Sequence, residues 1–381
     1  MMTKEVAKKG IDLLFKMYDE DNKNMLINKN TIGIIIEFIG GEPFMNVDLI
    51  DYASDYFLNQ CIEKNHPWQD SFRFNFSTNG MLYFEDKVQA YLKKFRPFIS
   101  LSITVDGPKE MHDACRKDYD GNGSFDKAIA ALTDWHKTEI IPETKVTISP
   151  DNIMQLHKIV NFFIKYNCTI IHANPIFEHD WTIEECKIYY EQLKLVADSL
   201  LKYPEIESNL FDPKYGRPMP SDENGNWCGG TGAMLAFDPE GKAYPCLRYM
   251  ESSLGNKCKP IIIGDVNGIY KTQDELNIQK QLTAITRRSQ STDECFNCQI
   301  ASGCSWCSAW NYQKYGTPNK KDTGICWAQR ARSLVNSYYC NKKYIQQNSE
   351  RRVPVFLNRE LALQLIDDKE YNMLLKLSTE Y

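Results

Sequence analysis

The spacing of apolar residues changes repeatedly along the first half of the chain. In residues 5–18 apolar side chains recur every three or four positions, which predicts an amphipathic helix. Residues 31–39 form a nearly continuous apolar and mostly β-branched run, typical of a strand that is covered on both faces in a parallel sheet. The run ends at Gly40-Gly41-Glu42-Pro43, which predicts a turn.

Strand and helix patterns alternate through residue 177. Helical spacing covers residues 47–59, 85–95, 125–136 and 153–166, and strand patterns cover residues 72–80, 98–105, 144–149 and 168–177. A strand, a loop and a helix thus follow one another five times, which predicts right-handed crossovers that build a parallel sheet or a partial barrel. Such folds bind their ligands in the loops that follow the strands.

The loops after the predicted strands carry polar residues that need an explanation. Gly40 and Gly41 offer backbone that a ligand can approach closely, and Glu42 adds a carboxylate, but a simple turn explains them equally well. Thr78-Asn79-Gly80 is first of all a turn. A denser polar set follows the third strand; its arginine is a candidate to bind a ligand carboxylate, and its aspartates are interpreted as surface residues rather than as substrate bases. The set consists of Ser102, Asp106, His112, Asp113 and Arg116.

The composition is that of an ordinary soluble globular protein. The chain has 381 residues, 43% of them hydrophobic and 25% charged, with a net charge of -5, and it is long enough for two domains with sizeable cores. No basic tract gathers positive charge, so a nucleic-acid partner is not predicted. No apolar run approaches the roughly 20 residues of a membrane span. Because a signal-peptide pattern is also absent from the first residues, we expect a cytoplasmic protein without a membrane partner.

Thirteen cysteines in a reducing compartment are expected to bind metal or to be buried rather than to form disulfides. Nine of them lie between Cys228 and Cys340, and such clustering is typical of a metal domain. The other four are scattered through the first half and are interpreted as small buried or indifferent residues. The scattered cysteines are Cys61, Cys115, Cys168 and Cys186.

The densest part of the cysteine array runs from Cys295 to Cys307, with two, five and two residues between successive thiols. A turn-rich loop with this spacing can direct several thiols at one metal centre. Residues 238–242, Asp-Pro-Glu-Gly-Lys, predict a hairpin turn that brings Cys228 and Cys246 together. Paired cysteines suit structural zinc as well as an iron–sulfur cluster, and the array alone does not separate the two metals.

These stretches together resemble the radical S-adenosylmethionine (radical SAM) family and its cysteine-rich SPASM domain. The matching stretches are residues 37–43, 76–80, 102–116, 146–150 and the cysteine array from 228 to 326. The resemblance implies an α/β fold: a partial (β/α) barrel without its first strand in residues 1–215, a SPASM iron–sulfur domain in residues 216–330 and a helical tail in residues 331–381. With these motifs included, iron–sulfur is favoured over zinc.

The resemblance also implies which residues bind S-adenosylmethionine. The Gly-Gly-Glu-Pro element of the family contacts the amino group of this cofactor, and Glu42 is suited to accept hydrogen bonds from an ammonium. Ser102 and Arg116 match positions that in relatives help to hold the carboxylate or the ribose. The full expected set is Gly40, Gly41, Glu42, Pro43, Thr78, Asn79, Ser102 and Arg116.

The SPASM resemblance implies one or two auxiliary four-iron four-sulfur clusters. The second would be held by Cys295, Cys298, Cys304 and Cys326, and the first by Cys228, Cys246 and Cys307. Two full clusters need eight thiolates, so Cys258, Cys340 or a substrate thiolate would be the eighth. The chain departs from the family in one spacing, because only two residues instead of three separate Cys304 from Cys307.

A second departure concerns the cluster that cleaves S-adenosylmethionine. In the family it is held by a Cys-x3-Cys-x2-Cys loop before the first helix, and this motif does not occur in the sequence. We therefore expect the chain as given to be inactive. Either it begins just past the catalytic cysteines of a longer protein, which is the favoured interpretation, or it is a degenerate relative that binds without catalysis.

The function that the resemblance implies is post-translational modification of a ribosomally synthesised peptide. A thioether crosslink on a cysteine-containing peptide is the leading hypothesis, with a flavodoxin or ferredoxin as electron donor. The alternatives are an enzyme that forms formylglycine, like the anaerobic sulfatase maturases, and a non-catalytic iron–sulfur protein that binds or transfers electrons.

Overall fold

Strands and helices alternate along the chain much as the sequence predicts. A computed structural model describes residues 1–138, 142–226, 228–347 and 352–379. The strands are β1 (Ile34–Phe38), β2 (Phe72–Thr78), β3 (Ile99–Ile103), β4 (Glu143–Ile148), β5 (Ile170–Pro175), β6 (Glu207–Ser208), β7 (Ala236–Phe237), β8 (Lys242–Tyr244), β9 (Gly264–Asp265) and β10 (Gly268–Ile269). The helices are α1 (Lys4–Glu20), α2 (Val47–Glu63), α3 (Asp86–Phe95), α4 (Lys109–Cys115), α5 (Phe125–His136), α6 (Leu156–Lys165), α7 (Ile183–Leu200), α8 (Glu251–Leu254), α9 (Gln273–Thr283), α10 (Arg287–Gln290), α11 (Asp293–Phe296), α12 (Ser308–Tyr315), α13 (Cys326–Gln347), α14 (Arg359–Ala362) and α15 (Asp368–Thr379).

The chain divides into two compact units, each built from separate stretches of sequence. The first unit contains Met1–Ile103, Gly225–Gln290 and Cys307–Lys320. The second unit contains Thr104–Asn224, Ser291–Trp306 and Lys321–Tyr381. The three domains predicted from the sequence, at residues 1–215, 216–330 and 331–381, stay predictions.

A parallel sheet with the order β1-β2-β3 forms the centre of the first unit. Ile34 of β1 stands opposite Phe72 of β2. Phe74 is fully buried on the apolar face of the sheet. Its ring meets Phe57 of α2 and Phe95 of α3, at centroid distances of 6.1 Å and 5.4 Å. The predicted crossover helices therefore cover this face with aromatic contacts.

The prediction that β1 is covered on both faces is wrong. β1 lies at the edge of its sheet, and Ile35 is 69% exposed. Polar side chains follow along the same face, where Asn75 Nδ2 of β2 donates a hydrogen bond to Glu37 Oε1 at 2.8 Å. A run of isoleucines favours a strand through β propensity as well as through burial, so the run alone did not show that one face is open.

A short antiparallel sheet with the order β10-β9-β8-β7 also belongs to the first unit. The predicted hairpin is present between β7 and β8, with Ala236 opposite Tyr244. Asp238 Oδ1 accepts hydrogen bonds from the backbone N–H groups of Glu240 and Lys242 at 3.0 Å and 2.9 Å. Gly241 completes the turn at φ 87°, a left-handed conformation that favours glycine.

The second unit contains the other parallel sheet, with the order β4-β5-β6. Thr144 of β4 stands opposite Ile171 of β5, in agreement with the two strands predicted there. Ile148 and Ile171 are fully buried. Helix α6 packs against α7, and α7 begins with a capping box in which Thr182 and Glu185 satisfy each other's backbone N–H groups.

The tail belongs to the second unit and packs there mainly through α13, a 22-residue helix that lies along α7. Leu334 and Val335 of α13 are fully buried. Residues 352–357 of the predicted helical tail have no regular structure, and the short helices α14 and α15 follow them. Residues 348–351 and 380–381 of the predicted tail lie outside the described residues. Within the part of the chain that the structure describes, none of the helices combines the length and apolar character needed to cross a membrane.

Candidate functional site

Glu42 connects the loop after β1 with the loop after β2. Its Oε1 accepts hydrogen bonds from Thr78 Oγ1 at 2.7 Å and from the backbone N–H of Phe44 at 3.2 Å. Its Oε2 accepts a hydrogen bond from the backbone N–H of Asn79 at 2.8 Å. An ionised carboxylate accepts about four hydrogen bonds, so these three fix the orientation of the group and leave capacity for a cationic ligand.

Gly40 and Gly41 are exposed, and the chain itself gives no reason for glycine there. Neither has a positive φ. A Cβ atom on Gly41 would meet nothing within 4 Å, and one on Gly40 would only touch the backbone nitrogen of Glu42 at 4.0 Å. The two glycines therefore leave open backbone beside the Glu42 carboxylate, where a ligand can approach closely. Pro43 is buried and begins the short 3₁₀ turn that follows.

Thr78 and Asn79 serve as turn residues as well as partners of Glu42. Thr78 is only 2% exposed, and its Oγ1 accepts a hydrogen bond from the backbone N–H of Gly80 at 3.1 Å. Asn79 Oδ1 accepts one from the backbone N–H of Met81 at 2.9 Å. The alternative that this stretch is a turn is therefore correct, and the same turn holds Glu42.

The open face of the first sheet carries polar side chains that the sequence reasoning missed. Besides the Glu37–Asn75 pair, Arg73 Nε donates a hydrogen bond to Ser100 Oγ at 3.3 Å. Ser102 of β3 stands opposite Ser77 of β2 and is half-buried on this side. The alternation of polar residues at 73, 75 and 77 was the signal for this face.

Arg116 lies in the second unit and pairs with its own chain. Its Nε donates a hydrogen bond to Asp106 Oδ2 at 2.7 Å, and this bond raises the pKa of Arg116. The backbone N–H of Asp106 donates to Nδ1 of His112, and the Nε2 of that ring lies 2.9 Å from Ser124 Oγ. Asp113 Oδ1 accepts a hydrogen bond from the backbone N–H of Phe125 at the start of α5, which lowers the pKa of Asp113. These four residues therefore hold the loop between β3 and α5 together.

The first cysteine group, which we define as Cys228, Cys246 and Cys307, lies entirely in the first unit. The pKa of Cys246 is raised to about 11, mainly by burial and in part by the neighbouring Cys307 and Cys228. Cys228 Sγ lies 3.1 Å from Ser308 Oγ. The predicted hairpin and the start of α12 thus bring the three thiols together.

The second cysteine group, Cys295, Cys298, Cys304 and Cys326, lies entirely in the second unit. Its loop is rich in turns: Thr292 Oγ1 accepts a hydrogen bond from the backbone N–H of Cys295 at 3.2 Å, and Cys304 donates its own N–H to Ala301 O. The pKa of Cys326 is raised to about 12, mainly by burial and in part by the neighbouring Cys304 and Cys295.

A lysine accompanies the second group. Lys321 Nζ donates a hydrogen bond to Cys304 Sγ at 3.3 Å. Burial alone lowers the pKa of Lys321, but the nearby thiols of Cys304 and Cys295 outweigh it, and the pKa is raised. The sequence reasoning did not single out this lysine.

The donor chemistry of both groups fits an iron–sulfur cluster, whose irons are bound by thiolates. The Tyr249 hydroxyl is buried beside the first group and lies near Ser308, yet it makes no well-aligned hydrogen bond to a described residue. A bound cluster would offer its sulfides as acceptors to such a hydroxyl. No three His, Cys, Asp or Glu side chains among the described residues are spaced to hold a single metal ion.

Two further cysteines were proposed as the eighth thiolate. Cys258 is half-buried in the first unit and lies near Tyr312, a residue that packs against the buried cluster of Cys246, Tyr249 and Ala309. Cys340 is buried in the second unit, where its Sγ contacts Asn336 Oδ1 at 3.6 Å. Cys258 therefore shares a unit with the first group, whereas Cys340 does not.

The scattered cysteines of the first half are core residues with one exception. Cys61, Cys168 and Cys186 are fully buried, and burial raises the pKa of each to about 12. Cys115 is exposed. These positions agree with the prediction of small buried or indifferent residues.

Comparisons with known proteins point to one family. No family model matches the sequence. The radical SAM cyclopropyl synthase TigE of Paramaledivibacter caminithermalis is 24% identical over 326 residues, and the match covers 81% of this chain but only 61% of that relative. Among solved structures, anSMEcpe with bound AdoMet has a TM-score of 0.63 at 14% identity, covering 97% of this chain and 90% of that chain. SuiB of Streptococcus suis bound to S-adenosylmethionine has a TM-score of 0.50 at 13% identity, covering 83% and 69%.

The sequence relative and the solved structures agree with the motifs at residues 37–43, 76–80 and 102–116. The relative is a radical SAM enzyme, and the chain shares the α/β fold of proteins that bind S-adenosylmethionine. These similarities support the family that the motifs suggested, the radical SAM enzymes.

Proposed function

We propose that the protein is a radical SAM maturase that modifies a ribosomally synthesised peptide. The observation that carries the proposal is the separation of seven cysteines into two groups, one in each unit, in a chain whose Glu42 loop is suited to bind S-adenosylmethionine. The comparisons support a radical SAM enzyme and, through one solved complex, a peptide substrate. TigE is named a cyclopropyl synthase, and anSMEcpe has been solved with AdoMet and the Kp18Cys peptide, at a TM-score of 0.60 and 14% identity.

The loops after β1 and β2 would hold the cofactor through its amino acid part. The Glu42 carboxylate, fixed by Thr78 and Asn79, would accept a charge-assisted hydrogen bond from the ammonium group. Gly40 and Gly41 would let the backbone approach it. Ser102 lies at the end of β3 on the open face of the same sheet and is proposed to contact the cofactor there.

Arg116 remains a proposed cofactor residue that also forms an ion pair within its own chain. Because its guanidinium already pairs with Asp106, a ligand carboxylate would have to share it with this aspartate. Arginine has five N–H donors in a planar fork, so one ion pair does not exhaust its capacity.

The cysteine groups would hold auxiliary four-iron four-sulfur clusters, which supply electron transfer or a thiol-binding iron. The four thiols of the second group suffice for a full set of protein ligands. The first group supplies three, and Cys258 or a substrate thiolate would complete it. A flavodoxin or ferredoxin would serve as the electron donor.

S-adenosylmethionine cleavage needs a further cluster on a Cys-x3-Cys-x2-Cys loop, and the 381 residues do not contain this motif. We therefore propose that the chain as given binds S-adenosylmethionine without producing 5′-deoxyadenosine. Translating the DNA upstream of Met1 separates the two interpretations of the missing motif. A strand followed by the motif in frame would indicate a longer active enzyme, whereas a stop codon just before Met1 would favour a non-catalytic relative.

The peptide proposal is tested by incubating the reconstituted enzyme, with the upstream motif if one is found, with the peptide encoded beside its gene. A thioether crosslink removes two hydrogen atoms and consumes one free thiol. Ring closure between carbon atoms removes two hydrogen atoms and keeps the thiol, and formylglycine formation from cysteine replaces sulfur with oxygen and also removes two hydrogen atoms. Mass spectrometry before and after thiol alkylation separates the three products. An unchanged peptide with intact clusters would count against a maturase.

A further inference from the structure

Lys321 occupies an unusual place, because its ammonium group lies among the thiols of the second cysteine group. Its Nζ is 3.3 Å from Cys304 Sγ, and Cys295 and Cys326 also act on it electrostatically. The side chain is half-buried, whereas Lys320 next to it is exposed. Two consecutive lysines therefore differ sharply in environment.

A cation in this position favours a negatively charged centre beside it. A partly buried ammonium is stable when an opposite charge compensates for its lost hydration. Four neutral thiols supply little compensation, whereas four thiolates on a cluster carry net negative charge. The placement of Lys321 is thus better matched to the cluster-bound state of the cysteines than to free thiols.

Charge and hydrogen bonding at the ligand sulfurs set the reduction potential of such a cluster. Reduction adds one negative charge, and a positive group near the cluster stabilises the reduced form more than the oxidised form. A hydrogen bond to a ligand thiolate acts in the same direction because it withdraws electron density from the sulfur.

We propose that Lys321 is a positioning residue that hydrogen-bonds to Cys304 and raises the reduction potential of the cluster held by the second cysteine group. The proposal rests on the proposed function, since it requires that group to bind a cluster. It assigns to Lys321 the role of making this cluster easier to reduce.

The test isolates the second cluster and then changes one lysine at a time. Replacing Cys228, Cys246 and Cys307 by alanine leaves the second group as the auxiliary ligand set, and potentiometric titration followed by electron paramagnetic resonance gives the midpoint potential. In this background Lys321→Gln and Lys321→Met are expected to shift the midpoint to lower potential. Lys321→Arg retains the charge and is expected to stay near the parent value, and the matched control Lys320→Met is expected to leave it unchanged.

The outcomes separate this proposal from the one on which it rests. If the parent protein holds iron and sulfide and Lys321→Gln keeps the parent potential, the role of Lys321 is overturned while the cluster stands. If the background variant binds no cluster although it is folded by circular dichroism, the second group is not a cluster site and both proposals fail. If Lys321→Met loses its iron, the midpoint potentials of Lys321→Gln and Lys321→Arg still test the role of Lys321, because both variants keep a polar side chain.

Discussion

At the scale of single residues, the Glu42 carboxylate accepts hydrogen bonds from its own chain and still has capacity to bind a ligand. Its own chain holds it through Thr78, Asn79 and Phe44. The Gly-Gly-Glu-Pro stretch singled out Glu42, but two of its three partners lie 36 and 37 residues further along, and no local pattern shows such a contact. Arg116 illustrates the opposite case. The sequence marked it for a ligand, and the fold places Asp106 against it.

Glu42→Gln is expected to weaken S-adenosylmethionine binding by about tenfold or more, because a charge-assisted hydrogen bond becomes a neutral one. Isothermal titration calorimetry on the anaerobically reconstituted protein measures this change. Glu63→Gln is the matched control, since Glu63 is an exposed residue at the end of α2 that accepts a hydrogen bond from Gln60. Equal affinity in the wild type and Glu42→Gln would remove Glu42 from the cofactor site.

His112 should contribute to the pH dependence of folding. The ring is 2% exposed, and burial lowers its pKa below the ordinary value. Below about pH 6.5 the ring is protonated in the unfolded chain but stays neutral in the folded protein. The contribution of His112 to stability is therefore fully present above that pH and is lost as the pH falls through the folded pKa. Replacing His112 should therefore reduce the loss of stability on acidification.

Urea unfolding one pH unit above and one below about 6.5 tests the role of His112. His112→Gln is expected to lose less stability on acidification than the wild type, by at most about 1.4 kcal/mol per pH unit. Identical slopes in the wild type and His112→Gln would show that His112 does not couple folding to pH.

At the scale of elements, helices were easier to predict than the surroundings of strands. The helix predicted at residues 5–18 is α1, because its apolar spacing matches one buried face. The run at residues 31–39 gave the strand β1 but the wrong environment, since the same isoleucines suit an edge strand and a central one. Whether β1 is an edge strand or a central strand depends on pairing with residues far along the chain, which the local sequence does not show.

Helix α13 offers a direct test of the packing in the second unit. Leu334→Ala is expected to lower the free energy of unfolding by about 2 to 5 kcal/mol, because a fully buried leucine on the helix that lies along α7 would leave a cavity. Ile345→Ala on the same helix removes a side chain that is 56% exposed and should change stability by less than about 0.5 kcal/mol. Chemical denaturation followed by circular dichroism measures both. Equal effects would contradict this account of the α13 packing.

At the scale of the whole molecule, the two cysteine groups that the SPASM resemblance implies lie in different compact units. The first group combines a hairpin, a short turn and the start of α12, whereas the second combines a turn-rich loop and the first residue of α13. The division into two units crosses the sequence several times and was not predictable from composition or linkers. It places Cys304 and Cys307, only three positions apart, in different units.

The measurement that most directly tests the central claim is the iron and acid-labile sulfide content per chain after anaerobic reconstitution. The wild type is expected to be brown, with equal amounts of iron and sulfide and about four irons for each cluster. Alanine at the three cysteines of the first group should remove one cluster and keep the other, and alanine at the four cysteines of the second group should do the reverse. Cys186→Ala, at a fully buried cysteine outside both groups, should keep the wild-type content. A colourless protein that binds stoichiometric zinc and no sulfide would contradict the account.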